Sequence, residues 1–438
     1  MSHTSTAQRY IVRPAASVQG ELTVPGDKSI SHRALMLGGI AAGQTSISGF
    51  LASEDCLATL AALAELGVRI ERPQETLVRV HGVGRDGLAG AAAALDMGNA
   101  GTAMRLLMGL LAGQRFDSTL IGDGSLMRRP MERVAAPLRA MGARIDTQGG
   151  TPPVRIHGGA ALHGIDSALP VASAQVKSAL LLAALYAQGE TSVTEPAPTR
   201  DHTERMLRGF GVQLECAAGR TRLAGGQQLR GCEIQVPGDF SSAAFFIVAG
   251  CLAARNGLTI RGVGVNPTRT GLLQLLRLMG ADIELQPHPA AAEPMADIHV
   301  RAAALRGIRV PEQLVALAID EFPVFFIAAA AAQGQTVVTG AGELRVKESD
   351  RLAGMAAGLT VLGIENQLLP DGLRLQGAES FSGGTVDSFG DHRLAMAFAV
   401  AALRARAPIE ILDVANVATS FPGFLETARA AGLQIEAA

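Results

Sequence analysis

Three short stretches of this chain combine charge with a spacing that packing alone does not require. Arg345-Val346-Lys347-Glu348-Ser349-Asp350-Arg351 sets Lys347 four residues and Glu348 three residues before Arg351, so a helix through it gathers two cations and a carboxylate on one side. Arg128-Arg129-Pro130-Met131 reads as an exposed helix start with proline in its first turn. Asp391-His392-Arg393 stands directly ahead of an apolar helix. Each alone is also what a solvated helix face or a cap looks like. Together they are harder to dismiss, and cations gathered beside helix starts suit a bound anion.

Such residues need helix starts to carry them, and the sequence supplies six. Apolar stretches run from Ala34 to Ala42, Ala103 to Ala112, Ser178 to Ala187, Ala243 to Ala253, Val324 to Ala332 and Leu394 to Ala401. At a length of roughly ten residues, apolar all round, each reads as a buried helix too short to span a bilayer. Polar residues precede every one: Asp27-Lys28-Ser29, Gly98-Asn99-Ala100-Gly101-Thr102, Ala172-Ser173-Ala174-Gln175, Gly238-Asp239-Phe240-Ser241-Ser242, Asp320-Glu321-Phe322-Pro323 and Phe389-Gly390-Asp391-His392-Arg393. Capping accounts for Ser, Asp, Asn and Gly there. Capping does not account for Lys and Arg, which the helix dipole disfavours at that end. Converging starts of this kind make an anion pocket.

The helices belong to a repeat. Gly67-Val68-Arg69-Ile70-Glu71, Gly142-Ala143-Arg144-Ile145-Asp146, Gly211-Val212-Gln213-Leu214-Glu215, Gly280-Ala281-Asp282-Ile283-Glu284, Gly363-Ile364-Glu365 and Gly432-Leu433-Gln434-Ile435-Glu436 each close an amphipathic helix and open a strand. They recur every roughly 70 to 80 residues, which marks one repeated supersecondary module. A coarser echo pairs Thr23-Val24-Pro25-Gly26-Asp27-Lys28-Ser29 with Gln235-Val236-Pro237-Gly238-Asp239-Phe240-Ser241. Three modules follow each copy, so these turns mark crossings between two α/β domains: 25–237, and 1–24 plus 238–438. Loops at Arg85 to Ala94 and Pro287 to Met295 are too short to be disordered linkers.

Composition narrows the function class. The 438 residues are 48% hydrophobic and 18% charged, with a formal net charge of −2, which argues against a nucleic-acid partner held by bulk electrostatics. Met1 to Tyr10 lacks a basic region followed by an apolar run, so neither secretion nor a membrane anchor is indicated, and a cytoplasmic protein is expected. Cys56, Cys216, Cys232 and Cys251 form no close pair, and buried thiols rather than a metal site or disulfides are expected.

The set Pro25-Gly26-Asp27-Lys28-Ser29-Ile30-Ser31-His32-Arg33, Gly98-Asn99-Ala100-Gly101-Thr102-Ala103-Met104-Arg105, Arg129-Pro130-Met131, Arg345 to Arg351 and Asp391-His392-Arg393 appears in order. With it the chain resembles the 5-enolpyruvylshikimate-3-phosphate synthases, from about Ile11 to Leu433. The resemblance implies two domains, each of three βαβαββ units, with inner helices whose N-termini face an interdomain cleft. It implies transfer of the enolpyruvyl group of phosphoenolpyruvate to the 5-hydroxyl of shikimate 3-phosphate, by a monomer without metal or organic cofactor.

Carried over by resemblance, Lys28, Gly101, Arg129, Gln175, Arg351 and Arg393 bind phosphoenolpyruvate. Lys28, Ser29, Arg33, Ser173, Ala174, Gln175, Arg200, Asp320 and Lys347 hold shikimate 3-phosphate. Asp320 is the candidate base for the hydroxyl, Glu348 the candidate acid for the methylene carbon, Lys28 a charge stabiliser and alternative proton-transfer group, and His392 orients Glu348, screens the cleft or caps its helix. The chain departs from the pattern where Ala418-Thr419-Ser420-Phe421-Pro422 lacks a lysine common before the C-terminal Phe-Pro, where Ala174 replaces a serine, and where Leu106 replaces a proline. The stretches around Ala174 and Arg200 resemble the branch that includes glyphosate-tolerant enzymes, whereas Gly101 leaves the inhibitor's space open. Two alternatives remain. One is the sister family that uses UDP-N-acetylglucosamine, whose loop cysteine is missing from Gly122 to Pro130. The other is a non-catalytic repeat scaffold.

Overall fold

The structure, a computed structural model, describes residues 9–289 and 292–438, so most of the Met1 to Tyr10 reading lies outside the described residues. Two compact units emerge: Gly26–Val236, and Met1–Pro25 with Pro237–Ala438. In the first, buried helices Lys28–Ile40, Gly101–Ala112 and Ala174–Ala184 alternate with amphipathic helices Glu54–Glu65, Glu132–Ala140 and His202–Gly209. In the second, Phe240–Ala253, Phe322–Ala330 and His392–Ala401 alternate with Gly271–Leu278, Arg351–Val361 and Phe424–Ala431.

Each helix pair packs on a small sheet, mixed in five modules and, among the described residues, a three-stranded antiparallel one (Gln335–Val338, Gly372–Gln376, Asn366–Leu369) in the sixth. The middle module of the Gly26–Val236 unit shows the pattern: Leu95–Asp96 runs parallel to Ser118–Ile121, which pairs antiparallel with Thr151–His157, which pairs antiparallel with Arg144–Gln148. The parallel pair needs a crossover, and the buried helix supplies it.

At the two Val-Pro-Gly-Asp turns the leading strand stays behind. Gly20–Thr23 precedes the first turn yet pairs with Leu258–Gly264, while Glu233–Gln235 precedes the second and pairs with Ala42–Ser48. The strand Tyr10–Arg13 likewise sits between Ile409–Leu412 and Gln434–Ala437 in the last module's sheet. Each unit thereby completes its sheets with strands distant in sequence. The aspartates after the turns have matching backbone angles, φ −61° and ψ 122° at Asp27 and φ −64° and ψ 122° at Asp239, and each accepts from a backbone N–H three residues on at 2.8 Å. Glycine is required before Asp27, since a Cβ on Gly26 would stand 1.9 Å from the Gly49 carbonyl oxygen.

The two cores use different side chains. The Gly26–Val236 unit is filled by Leu, Ala and Met, including Met36, Met104, Met108 and Met131. Helices Gly101–Ala112 and Ala174–Ala184 approach closely there: a Cβ on Gly109 would lie 2.0 Å from the Ala179 carbonyl oxygen. The other unit is filled by phenylalanines, with Phe322, Phe325 and Phe326 in mutual ring contact and Phe246, Phe421 and Phe424 forming a second group. Each large side chain so buried contributes roughly 1.5–3 kcal/mol.

Several sequence expectations are corrected. The helix expected to bring Lys347, Glu348 and Arg351 to one side does not include the first two: a 3-10 turn covers Gly342–Val346, Lys347 has ψ −148°, and the α-helix begins at Arg351 behind the Asp350 cap. Arg129 and Pro130 do not start an exposed helix. Arg129 is buried after a short 3-10 turn, Leu126–Arg128, and the α-helix begins at Glu132. The Gly363-Ile364-Glu365 strand opening is a turn, with the strand starting at Asn366, and Ala42 belongs to a strand rather than to the first inner helix. Cys56 and Cys251 are buried free thiols, but Cys216 is exposed, because its strand edge faces solvent. Helices Gly101–Ala112 and Phe322–Ala330 begin without a side-chain cap, so capping does not explain their polar starts.

Candidate active site

In the Gly26–Val236 unit the helix starts carry a cation-rich group. Lys28, the first residue of its helix, pairs with Asp55 at the start of Glu54–Glu65. Arg33, one turn on and nearly buried, donates to the Ser29 carbonyl at 2.9 Å, the Ser178 hydroxyl at 2.8 Å and the Thr203 hydroxyl at 2.7 Å, tying three helices together. Burial, with Lys28 and Arg33 beside it, holds His32 well below the ordinary histidine range, so its ring stays neutral against Thr59. Burial pushes the Cys56 thiol up, so no ready thiolate stands next to Lys28.

Around Gly101, Arg129 donates to Asn99 Oδ1 at 2.6 Å, and Asn99 in turn donates to Asp123 at 2.7 Å. Arg105 donates to Gln175 Oε1 at 2.7 Å and to the Pro130 carbonyl at 3.1 Å, while Gln175 donates to Thr102 at 2.8 Å. Glycine at 101 matters for this arrangement: a Cβ there would come within 2.8 Å of Arg129 Nη1 and 3.4 Å of Arg105 Nη1. Ser173 caps the helix that begins at Ala174, and Arg200 lies half-buried in the segment joining the strand Glu190–Thr194 to the helix His202–Gly209.

The other unit carries a mixed cluster built on Arg351, which is 1% exposed. Its Nη1 lies 3.3 Å from Asp320 Oδ1, its Nη2 2.6 Å from Glu348 Oε2, and its Nε 2.8 Å from Asp391 Oδ2. One planar guanidinium thus holds three carboxylates through separate nitrogens, a fork that an ammonium could not reproduce. Burial works against its charge, but Asp391 and Glu348 outweigh it and raise its pKa. Lys347 reaches the same Asp320 oxygen at 3.4 Å. Asp391 also caps its helix through the Arg393 N–H at 2.9 Å and accepts from Ser349 at 3.2 Å. Arg393 donates to the Asp320 carbonyl at 2.9 Å, and burial, with the neighbouring Arg351 second, lowers its pKa. His392, buried, is the first residue of that helix. The Ala415–Thr419 turn, which lacks the expected lysine, is bound to the same region: Asn416 donates to the Gly390 carbonyl at 2.6 Å.

The profile of the family described as EPSP synthase (3-phosphoshikimate 1-carboxyvinyltransferase) matches residues 12–428. The chain belongs to the EPSP synthase family. A 3-phosphoshikimate 1-carboxyvinyltransferase of Methylococcus capsulatus is 61% identical over 429 residues, covering 98% of each chain. That of Alkalilimnicola ehrlichii is 60% identical over 97% of this chain and 96% of its own. The solved EPSP synthase of Acinetobacter baumannii, 53% identical, superposes with a TM-score of 0.88 over 99% of this chain and 100% of its own. The repeated α/β fold and the enzyme class are therefore established. This is a transferase of the shikimate pathway, in aromatic amino acid biosynthesis, with shikimate 3-phosphate and phosphoenolpyruvate as substrates. Neither the UDP-N-acetylglucosamine reading nor the scaffold reading stands beside those findings. Among the described residues no helix is long and apolar enough to cross a membrane.

Within each unit the predicted residues gather: Gln175 with the Gly101 turn, Ser29 with Arg33, and Asp320, Lys347, Glu348, Arg351 and Arg393 in one cluster. Sequence reasoning missed four partners. Arg105, four residues after Gly101 and so on its side of the helix, could have been found from spacing. Glu321 is 1% exposed and faces Arg269 at 3.5 Å and Arg393 at 3.7 Å, with Ser241 bonded to both Glu321 and Arg269. Glu321 and Ser241 stand in two of the polar helix starts, which marked their positions without giving them a role; nothing local marks Arg269.

Proposed function

We propose that both groups of side chains act on one pair of substrates, each half of the chain supplying part of the machinery. The three carboxylates on the Arg351 guanidinium carry this reading. The reaction needs groups that exchange protons with substrate while remaining fixed in place, and a shared rigid cation fixes them.

Shikimate 3-phosphate is held by Lys28, Ser29, Arg33, Ser173, Ala174, Gln175, Arg200, Asp320 and Lys347. Phosphoenolpyruvate is held by Lys28, Gly101, Arg129, Gln175, Arg351 and Arg393. Two phosphates and a carboxylate repel one another in water, and charge-assisted contacts with helix starts offset that repulsion. In the addition step Asp320 accepts the proton of the 5-hydroxyl as its oxygen bonds to C2 of phosphoenolpyruvate, and Glu348 delivers a proton to the methylene carbon. The tetrahedral intermediate then loses a methyl proton and expels phosphate, leaving the enol ether, so acid and base exchange roles. Lys28 stabilises charge, and His392 orients Glu348.

Phosphate release measured with shikimate 3-phosphate and phosphoenolpyruvate, each alone and then together, tests this: release only with both is expected. Shikimate 3-phosphate binds first, so calorimetric affinity for phosphoenolpyruvate rises when shikimate 3-phosphate is present. The enzyme acts as a cytoplasmic monomer, with sedimentation at assay concentration as the check.

A further inference from the structure

Behind the residues assigned to shikimate 3-phosphate lies a buried charged group that the reaction does not use. Lys177 is 2% exposed, and its Nζ lies 2.6 Å from Glu195 Oε2 and 2.7 Å from Glu204 Oε1, both acids having nearly buried side chains. Burial alone lowers the pKa of such an ammonium, yet Glu204 and Glu195 outweigh it and raise it, so Lys177 stays charged.

The sequence positions of the three residues give the group a geometric meaning. Glu195 directly follows the strand Glu190–Thr194, and Glu204 sits in the first turn of the helix His202–Gly209. Between them runs Pro196-Ala197-Pro198-Thr199-Arg200-Asp201. Lys177 therefore grips both ends of the segment that carries Arg200. Thr199, next to Arg200, donates to the second oxygen of Glu195, which ties the segment internally, and the Glu195 N–H donates to the Gly219 carbonyl at 2.9 Å, which fixes its first end to the turn between the strands Leu214–Ala217 and Arg220–Ala224. Lys177 itself stands two residues after Gln175 on the helix capped by Ser173. One ammonium thus links the two elements whose side chains meet the same substrate.

The charge balance extends to a third element. Lys177 with two carboxylates leaves one negative charge in excess. Arg33 supplies a positive one alongside, through the hydroxyls of Ser178 and Thr203, which are the neighbours in sequence of Lys177 and Glu204 and lie 2.7 Å apart. Buried charges in such a seam add little net stability relative to apolar packing, but removing one partner is costly, and their best-attested use is to enforce one arrangement.

We propose that Lys177, with Glu195 and Glu204, is a positioning device for shikimate 3-phosphate: it fixes the Arg200 segment against the Ser173–Gln175 helix start, so that Arg200 is preorganised for the substrate's anionic group. This rests on the assignment of Arg200 to that substrate. Lys177 touches no reacting atom and acts through Arg200.

The test is a double-mutant cycle on the full-length enzyme, read by calorimetric affinity for shikimate 3-phosphate and by steady-state kinetics. Lys177→Met weakens shikimate 3-phosphate binding by about tenfold, the size of coupling expected for a positioning residue, while kcat and the KM for phosphoenolpyruvate at saturating shikimate 3-phosphate change less than about twofold. Arg200→Ala weakens the same affinity, and the double variant is no weaker than Arg200→Ala alone, since the interaction acted upon is already gone. An additive double variant, or unchanged affinity in Lys177→Met beside a weakened Arg200→Ala, overturns the positioning role. Unchanged affinity in Arg200→Ala overturns the assignment of Arg200 instead. Thermal melting identifies loss of fold. If Lys177→Met does not fold, Glu195→Gln/Glu204→Gln, which keeps the shapes and removes the charges that the ammonium grips, takes its place in the cycle: non-additivity with Arg200→Ala supports the positioning role, and additivity overturns it.

Discussion

The two groups of functional side chains hold their cations in contrasting ways. In the Gly26–Val236 unit, the hydrogen bonds of Arg33, Arg105 and Arg129 described above go to neutral acceptors: hydroxyls, amide oxygens and backbone carbonyls. In the other unit, Arg351 binds three carboxylates and Lys347 shares one of them. Those bonds orient the guanidinium planes without themselves neutralising them, whereas Lys28 in the same unit pairs with Asp55. A guanidinium surrounded by acids has much of its charge answered already, and serves to fix those acids. The first arrangement suits holding phosphate, and the second suits moving protons.

That contrast is open to attack by substitution. The largest effect is expected for Arg351→Met, which takes from Asp320, Glu348 and Asp391 the buried cation they share. The loss of about 3–5 kcal/mol typical of a broken buried ion pair should appear in chemical denaturation, together with loss of turnover; a stability close to that of the parent would show that the three acids do not depend on this cation. Next comes Glu348→Gln, in which kcat should fall by about 10²–10⁴ with substrate affinities little changed; Asp320→Ala should lose kcat to a similar degree and also bind shikimate 3-phosphate more weakly, since Asp320 is assigned to both tasks. Near-normal turnover in Glu348→Gln would remove it from proton transfer.

Smaller is Arg129→Ala. A charged hydrogen bond is worth about 1.5–3 kcal/mol, so the KM for phosphoenolpyruvate should rise roughly ten- to a hundredfold by the same arithmetic, while the melting temperature stays near that of the parent. A large loss of stability would place Arg129 with Arg351 and dissolve the comparison. Smallest is Gly101→Ala. The added methyl meets the far end of Arg129 at 2.8 Å rather than backbone, so the side chain shifts and the fold survives. Phosphoenolpyruvate should bind a few-fold more weakly, about 1 kcal/mol or less, and competitive inhibition by glyphosate should be relieved. Equal inhibition curves for the two proteins would show that Arg129 absorbs the methyl without disturbing the site.

Much of this protein could be read directly. The six buried helices announce themselves because a helix surrounded by protein must be apolar on every face, and the module repeats because each copy solves the same packing problem. Val-Pro-Gly-Asp turns preset their own backbone through Pro, Gly and the aspartate cap, so their positions and local geometry follow from four residues. Lys28 and Arg393 stood out because charge at the start of a buried helix is costly without a purpose, and Arg129 and Glu348 because they lie in short charged stretches that packing alone does not require.

Other features belong to the tertiary structure alone. Lys347, Glu348 and Arg351 do come together, but through a turn ahead of a capped helix and not along a helix face, because the 3-10 turn Gly342–Val346 and the Asp350 cap leave the two earlier residues outside it. Arg129 looks exposed in a run of charge and is buried by the Gly101 turn. Ser241, Arg269 and Glu321 meet at separations of 28, 52 and 80 residues, and Lys177 grips two acids from separate elements. Local sequence sets backbone preference and burial, which act over a few residues. Which charge answers which depends on the approach of distant segments, and the strands left behind at each Val-Pro-Gly-Asp turn show that this approach is set by sheet pairing across the whole chain.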